Sequence, residues 1–272
     1  MMQNKSQPAV VLTIAGADSL SGGGMQADLA TFNELKLYGL ATMTSIVAVG
    51  PDDLKITPLP AALVQDQLQT QQAAFLLRGV KIGLLPTIEQ VKSVAAWIRQ
   101  LPKTVPVVVD PVLVFKEAQN DASAALRDAY LRELFPLATI ITPNLTEAMQ
   151  LTDQVLINEQ DIVQAAQVLI QTGTQSVVIK GGHRLGGSMA KDYLLTKTGA
   201  QWFTSPKLTS NNNNGAGCTF SAAILGYLVQ GHSLEIAVTQ AKTFVQHAIE
   251  AGLTINEQQG NVWQGANREY SS

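Results

Sequence analysis

The chain has 272 residues, of which 46% are hydrophobic and 14% charged, a composition typical of a compact globular domain and not of a disordered chain. Its net charge of −3, without a lysine or arginine cluster, argues against nucleic acid and anionic membranes as partners. A single cysteine excludes an internal disulfide, and no secretory signal or run of about 18 apolar residues is present, so we expect a cytoplasmic protein that does not enter the membrane.

Short apolar segments rich in β-branched residues alternate along the chain with segments of helical spacing. The predicted strands cover residues 10–16, 44–49, 80–83, 105–110, 139–144 and 176–182. The predicted helices cover residues 24–37, 60–77, 88–100, 122–134, 158–172, 216–230 and 234–251. This alternation predicts an α/β fold with a mainly parallel sheet and helices on both sides. Because no fixed-period repeat or linker divides the chain, residues 1–272 are predicted to form a single domain.

Polar residues follow four of the predicted strands. Asp18 comes after the first strand, Asp110 after the fourth, Asn144 after the fifth and Lys180 after the sixth. Ligands of open parallel sheets bind outside the carboxyl ends of the strands. The sequence therefore predicts a binding site at this edge of the sheet.

Three consecutive glycines, Gly22 to Gly24, separate the first strand from the first helix. Such a turn lets the backbone approach a ligand and exposes the amides of the helix start, although an ordinary flexible turn explains it equally well. The segment does not match G-x-x-x-x-G-K-[ST], which excludes a Walker-type nucleotide loop.

Two carboxylates and a lysine stand in further strand-end segments. Asp110 in "VVVDPVLV" suits magnesium or a magnesium-bound phosphate, with an ordinary turn aspartate as the alternative. Glu147 in "TPNLTEAM" falls in the first turn of a helix, where acidic residues are favoured for structural reasons alone. Lys180 in "VVIKGGH" could hold a nucleotide phosphate as a point charge. His183 is a possible nucleotide contact, but a lone loop histidine is more often only solvated.

The segment "NNNNGAGCTFSAAI" joins a glycine turn to a predicted helix and contains the only cysteine. The amides of Gly215, Ala216 and Gly217 would point at whatever lies over the helix start, a position that attracts anions. We expect Cys218 there to have a lowered pKa, so that its thiolate could accept a proton, whereas a buried structural cysteine is the alternative. The asparagine run before it, residues 211–214, is interpreted as loop filler.

These segments, in order and over nearly the whole chain, resemble the ribokinase-fold vitamin kinases. The matching segments are "IAGADSLSGGGMQADLATF", "KIGLL", "DPVLV", "TPNLTEA", "VVIKGGH" and "NGAGCTFSAAI". They are most similar to the branch shared by hydroxymethylpyrimidine (phosphate) kinases and the pyridoxal kinases of Gram-positive bacteria. The resemblance implies a ribokinase-like three-layer α/β/α fold, a homodimer, and phosphorylation of a hydroxymethyl group on a small heteroaromatic vitamin with ATP and Mg²⁺.

The resemblance also implies roles for individual residues. An anion hole would be formed by Gly215, Ala216, Gly217 and Cys218, with Cys218 as the base where sugar kinases have an aspartate. The residues implied to organise ATP phosphate are Asp110, Asn144, Glu147, Lys180, Gly182 and His183. Of these, Asp110 and Glu147 would also hold Mg²⁺, directly or through water or phosphate. The vitamin ring would be bordered by Gly16, Asp18, Val49, Leu84 and Val112.

The identity of the vitamin depends on Val49. In pyrimidine kinases of this branch the segment matching "SIVAVGPDD" usually reads like "TAQNT", with a glutamine or glutamate facing the aminopyrimidine. An apolar residue cannot make that hydrogen bond, which favours a pyridoxal kinase over a hydroxymethylpyrimidine kinase. Phe115 replaces a second cysteine of the pyridoxal kinases, and Asn214 replaces their usual histidine. A vitamin-binding protein that kept the fold but lost turnover is therefore a third hypothesis.

Overall fold

A nine-stranded sheet runs through the protein in the computed structural model, which describes residues 7–49, 54–113, 121–182 and 184–268. Its strands are β1 (Val10–Asp18), β2 (Tyr38–Val49), β3 (Leu54–Pro58), β4 (Leu77–Ile82), β5 (Val107–Val109), β6 (Ile140–Ile141), β7 (Ser176–Lys180), β8 (Met189–Thr196) and β9 (Ala200–Pro206). They are arranged in the order β3-β2-β1-β4-β5-β6-β7-β8-β9. The six central strands are parallel, whereas β3 at one edge and β8 and β9 at the other pair antiparallel.

Helices cover both faces of this sheet. The described helices are α1 (Gly24–Glu34), α2 (Ala61–Ala74), α3 (Ile88–Ile98), α4 (Asp121–Ala129), α5 (Leu145–Thr152), α6 (Glu159–Ile170), α7 (Ala216–Val229) and α8 (Leu234–Glu250). Buried residues of α1, α7 and α8 pack on one face, and those of α2 to α6 pack on the other. A short antiparallel ladder, β10 (Leu253–Thr254) with β11 (Gly260–Asn261), follows α8.

The central strands are buried on both sides, which explains their nearly continuous apolar sequences. Val107 and Val109 of β5 face the core beneath α2 to α6, whereas Val108 between them faces the core beneath α1, α7 and α8. Alternate residues of a strand point to opposite faces, so a strand between two helical layers needs apolar residues at every position. The predicted three-layer α/β/α fold is confirmed.

The differences from the sequence-based prediction lie mainly at the sheet edges. Strands β3, β8 and β9 were not predicted because they are partly exposed and carry polar residues among the apolar ones. Strand β2 begins at Tyr38, six residues before the predicted start at residue 44. The helix predicted over 122–134 is α4 followed by one π-helical turn, Tyr130–Leu134.

Strand β1 lies at the point where the direction of winding changes. It pairs with β2 on one side and with β4 on the other, so the chain crosses over β1 between β3 and β4. In doubly wound sheets the crevice at such a switch point is the usual ligand site. The same edge receives the residues that follow β5 and β7, because the carboxyl ends of parallel strands meet there.

Candidate active site

A cavity of about 370 Å³ opens at the carboxyl ends of β1, β4 and β5 and at the start of α7. All the residues predicted to border the vitamin line it: Gly16, Asp18, Val49, Leu84 and Val112. It is also lined by Asp110, Asn144, Glu147, Lys180, Gly215, Gly217 and Cys218. Segments that are far apart in the sequence therefore meet in one cavity.

A second cavity of about 370 Å³ adjoins the first. The two have Asn144, Lys180 and Gly217 in common, and Gly182 and Ala216 line the second only. A ligand in one cavity could thus reach a ligand in the other past the ammonium group of Lys180 and the start of α7. Two further sequence-based predictions, for His183 and Phe115, fall outside the described residues.

The glycine turn after β1 is held in shape by Asp18. One carboxylate oxygen of Asp18 accepts the Leu20 amide at 2.9 Å, and the other accepts the Gly23 amide at 2.8 Å. Gly24 has a φ of 59°, and a Cβ there would lie 2.4 Å from the carbonyl oxygen of Gly16. Because its backbone is fixed by these contacts, the turn is not the ordinary flexible loop that the sequence left open.

The turn before α7 is in direct backbone contact with this first turn. Gly215 is the N-cap of α7 with a φ of 88°, and a Cβ there would lie only 1.6 Å from the carbonyl oxygen of Gly22. A Cβ on Gly217 would lie 3.2 Å from Nζ of Lys180. The first amides of an α-helix lack partners within the helix and favour anions, so the start of α7 is suited to hold a phosphoryl group beside Lys180.

Cys218 is half-buried in the first cavity, in the first turn of α7. Burial raises the pKa of its thiol to about 11, although the positive charge of Lys81 and the Gly24 amide both act to lower it. The prediction of a lowered pKa at this helix start is therefore wrong. Loss of solvation around the thiolate outweighs the favourable charges.

Asp110 and Lys180 form an ion pair at the centre of the site. Nζ of Lys180 lies 2.8 Å from Oδ1 of Asp110, which also accepts the Thr142 hydroxyl at 3.0 Å. The other oxygen accepts the Ser221 hydroxyl at 3.3 Å. Burial acts to lower the pKa of Lys180, but the charges of Asp110 and Glu147 more than offset it, so the pKa lies above its usual value and Lys180 is a cation.

Glu147 has the structural role that the sequence left open, as part of a helix cap, and it also faces the first cavity. It forms a capping box with Asn144 at the start of α5: its carboxylate accepts the Asn144 amide at 2.7 Å, and the Asn144 side chain accepts the Glu147 amide at 3.0 Å. It also lines the first cavity. Burial raises the pKa of Glu147 to about 7, with Asp110 adding to the shift and Lys180 opposing it.

The carboxylates of Asp110 and Glu147 fit a magnesium ion that arrives with a nucleotide. Mg²⁺ prefers oxygen ligands and is commonly bound by one or two carboxylates together with substrate phosphates and water. Within the described parts of the chain, no group of three or more histidine, cysteine, aspartate or glutamate side chains could form a metal site by itself. A Mg²⁺ ion at Asp110 and Glu147 would therefore need phosphate and water as its remaining ligands.

Sequence reasoning missed Lys81 and the apolar wall of the first cavity. Lys81 lines the cavity from β4, and the wall consists of Val47, Leu54 and Ile56 on the β2–β3 hairpin beside Val49. A lysine inside the otherwise apolar segment "GVKIGLL" was the available signal for the first. The hairpin could not be found because β3 was not predicted.

The asparagine run is wrongly interpreted as loop filler. The Asn212 side chain is buried, donates to the Gly252 carbonyl at 2.9 Å and accepts the Thr254 hydroxyl at 3.2 Å. The Asn214 side chain donates to Asn261 at 2.8 Å, and Asn261 donates to the Leu20 carbonyl at 2.9 Å. The run thus ties the turn before α7 to the β10–β11 ladder and to the glycine turn after β1.

Solved structures of vitamin kinases share this fold. The pyridoxal kinase from Staphylococcus aureus, in complex with AMP-PCP and pyridoxal, is 36% identical with a TM-score of 0.89 over 96% of this chain and 95% of that chain. The phosphomethylpyrimidine kinase from Clostridium difficile 630 is 32% identical with a TM-score of 0.75 over 89% and 99%. Fold and site define a vitamin kinase of the ribokinase-like class.

A family model described as phosphomethylpyrimidine kinase matches residues 18–263, and the chain belongs to that family. A putative pyridoxine kinase of S. aureus (strain COL) is 39% identical over 94% of this chain and 93% of the relative. A hydroxymethylpyrimidine/phosphomethylpyrimidine kinase of S. aureus (strain MRSA252) is 34% identical over the same shares. Among the described residues, no helix has the length and apolar character needed to cross a membrane.

Proposed function

We propose that this protein is a pyridoxal kinase, which transfers the γ-phosphoryl group of ATP to the 5′-hydroxymethyl group of pyridoxal, pyridoxine or pyridoxamine. The observation that carries the choice of vitamin is the wall of the first cavity, where Val47, Val49, Leu54 and Ile56 come together. A site built to read an aminopyrimidine needs a hydrogen-bonding partner for the amino group, and these side chains offer none. The higher TM-score of the pyridoxal kinase structure supports the same choice.

In this proposal the vitamin occupies the first cavity and ATP the second. The γ-phosphate then lies where the cavities meet, next to Lys180 and Gly217. The vitamin hydroxyl oxygen attacks the γ-phosphorus, the bond from that phosphorus to the β,γ-bridging oxygen breaks, and ADP leaves with the electron pair. Catalysis of this kind depends mainly on positioning and on charge stabilisation.

Each charged group of the site has a defined part in this reaction. Lys180 and the first amides of α7 stabilise the negative charge on the transferred phosphoryl group. Asp110 and Glu147 would hold Mg²⁺, which neutralises phosphate charge when it is bound. Because the pKa of Glu147 is about 7, this carboxylate gains its charge near neutral pH.

Cys218 accepts the proton of the attacking hydroxyl in this proposal. The thiol is mostly protonated at neutral pH, because its pKa is about 11, so the small thiolate fraction limits the rate. Cys218→Ala should lower kcat by about 10²-fold, the usual scale for loss of a general base, and leave ATP affinity nearly unchanged. Normal turnover by this variant would refute the assignment.

The substrate is tested by assaying pyridoxal and hydroxymethylpyrimidine in parallel with ATP and Mg²⁺ and comparing kcat/KM. A clear preference for pyridoxal is expected. A preference for the pyrimidine would establish the second candidate, which is favoured by the relative that carries that name. Binding of pyridoxal without ADP formation at high protein concentration would instead identify a non-catalytic vitamin-binding protein.

The variant Val49→Gln gives a sharper form of this test. Val49 lies on the apolar wall, and a glutamine there could hydrogen-bond an aminopyrimidine. We expect the ratio of kcat/KM for hydroxymethylpyrimidine to that for pyridoxal to rise by roughly tenfold or more, the scale of one gained hydrogen bond. An unchanged ratio would show that Val49 does not face the ring.

A further inference from the structure

A fully buried ion pair lies beneath the proposed active site. Nζ of Lys81 on β4 is 2.8 Å from Oδ2 of Asp28 on α1, and both side chains are 0% exposed. The same oxygen accepts the Thr13 hydroxyl at 2.6 Å. Two charges removed from water seldom stabilise a fold better than apolar residues of the same volume. A stabilising role alone is therefore a weak explanation of the pair.

Helix α1 and the first cavity both connect the pair with Cys218. The Gly24 amide acts to lower the pKa of that thiol, and Asp28 follows Gly24 by four residues on α1. Residues four apart lie on the same face of a helix, one turn from each other. Lys81 lines the same cavity as Cys218.

Gly83 lies directly beside the buried ammonium group of Lys81. A Cβ on Gly83 would lie 3.0 Å from Nζ of Lys81, and Gly83 itself lines the cavity. The glycine thus places no side chain between the ammonium group and the cavity. Oδ1 of Asp28, in contrast, has no hydrogen-bond partner among the described residues. Lys81 therefore lies in the wall of the cavity, covered by neighbouring atoms, whereas Asp28 does not line the cavity.

Six charged groups of the described residues act on Cys218 or line its cavity, and Glu147 at the start of α5 is one of them. Lys81 has the largest effect among the charges and lowers the pKa of the thiol, whereas Asp28 and Asp110 raise it. Lys180 on β7 interacts with the thiol as a second cation, and Asp18 at the end of β1 lines the cavity. Because Lys81 lines the cavity together with Cys218 and Asp28 does not, the positive member of the pair is the one that faces the sulfur.

We propose that Lys81 is a positioning residue of the reaction: its buried ammonium group, fixed by Asp28 and Thr13, stabilises the thiolate of Cys218. In the transfer step, the proton of the attacking hydroxyl moves to this thiolate while the hydroxyl oxygen bonds to the γ-phosphorus. This inference rests on the proposed function, in which Cys218 is the proton acceptor. If the pair were only structural, its removal would alter the stability of the fold and leave the chemistry of the thiol unchanged.

The single cysteine gives a direct readout of this effect. Alkylation of the full-length protein by iodoacetamide, measured against pH without vitamin or ATP, reports the pKa of Cys218 alone. The variant Asp28→Asn/Lys81→Gln removes both charges and keeps groups that can hydrogen-bond. We expect the pKa of the thiol to rise by about one unit or more, so that alkylation at pH 8.5 slows by about tenfold.

A matched control removes an ion pair at a distance from the site. Arg99 and Glu133 form a surface pair at 2.7 Å, and Arg99→Gln/Glu133→Gln should leave the alkylation profile unchanged. If the Asp28→Asn/Lys81→Gln chain does not fold, Asp28→Asn/Lys81→Met replaces it, with an apolar side chain in the buried position. Either folded variant with the parent's alkylation profile would overturn the proposal.

The turnover of the same variant separates this proposal from the proposed function. We expect kcat to fall by about tenfold or more with little change in the KM for ATP, since the pair does not line the nucleotide cavity. If the parent phosphorylates neither vitamin, the proposed function is refuted. If the alkylation rate of the variant nevertheless depends on pH with a shifted pKa, the electrostatic role of Lys81 is still supported. A shifted profile with unchanged kcat would show that the thiolate is not used in the reaction.

Discussion

Replacement of Gly215 by alanine tests whether the contact between the two glycine turns shapes the phosphate site. Gly215 has a φ of 88°, so any other residue there costs about 1–2 kcal/mol of backbone strain. The new Cβ would also lie 1.6 Å from the Gly22 carbonyl oxygen, where an ordinary contact needs at least 3.4 Å. One of the turns must then move by roughly 1.8 Å, and displacements of about 1 Å in an active site can cost 10²-fold in rate. We expect Gly215→Ala to lower kcat by about 10²-fold or more.

The other end of the same helix provides the control. Gly231, just after α7, has a φ of 89°, but a Cβ there would meet nothing within 4 Å. Gly231→Ala should lower the Tm by a few degrees through strain of about 1–2 kcal/mol and leave kcat unchanged. ADP formation and thermal unfolding of both variants are measured together. Equal kcat values for Gly215→Ala and Gly231→Ala would refute the reasoning.

Three further predictions concern charge and packing around the same site. If the thiolate of Cys218 is the proton acceptor, the thiolate fraction should rise about tenfold per pH unit below the pKa of about 11, so kcat should rise by about 10²-fold from pH 7.5 to 9.5. In Cys218→Asp the carboxylate is ionised throughout this range, so kcat should not change with pH. If kcat of both proteins depends on pH in the same way, the assignment is contradicted. Lys180→Met should raise the pKa of Glu147 above about 7, because the charge of Lys180 lowers it. The pH below which activity falls should then be higher in this variant. If that pH is the same as in the parent, Glu147 takes no part in the reaction. Asn212→Ala removes two hydrogen bonds of a buried side chain and should cost about 1–3 kcal/mol in the free energy of unfolding, at about 0.5–1.5 kcal/mol each. Asn213→Ala, at an exposed position, should change it by no more than about 0.5 kcal/mol. If denaturant unfolding fails to separate the two variants, the Asn212 contacts do not stabilise the fold.

The parallel part of the fold could be predicted from the sequence because burial on both faces leaves an unambiguous pattern. Strand β5, "VVV", is apolar at every position and was predicted within two residues of its bounds. The edge strands β3 and β9 lack this pattern, because one side of each is partly exposed and polar residues are tolerated there. Their existence depends on pairing with a neighbouring strand, which is a long-range property.

The positions of the candidate site residues were predicted better than their chemistry. Asp110 follows β5 and Lys180 ends β7, and the carboxyl ends of parallel strands meet at one edge of the sheet. The two charged groups accordingly lie 2.8 Å apart, at the edge where the sequence placed them. The pKa of Cys218 was predicted in the wrong direction, because a helix start is visible in the sequence and the burial around it is not. Lys81 was missed for a related reason: a lysine in a strand becomes informative only when its side chain is known to be fully buried.

The hydrogen bonds that tie the asparagine run to both ends of the chain have a consequence for biosynthesis. Asn261 holds the Leu20 carbonyl across 241 residues of sequence. At translation rates of ~5–20 residues per second, the ribosome makes the second partner roughly 12–50 seconds after the first. Strands β1 to β9 all precede residue 207 and can pair earlier, but the link from Asn214 through Asn261 to Leu20 cannot form until β11 has emerged. A nascent chain can therefore complete its sheet before the hydrogen bond between Asn261 and Leu20 can form.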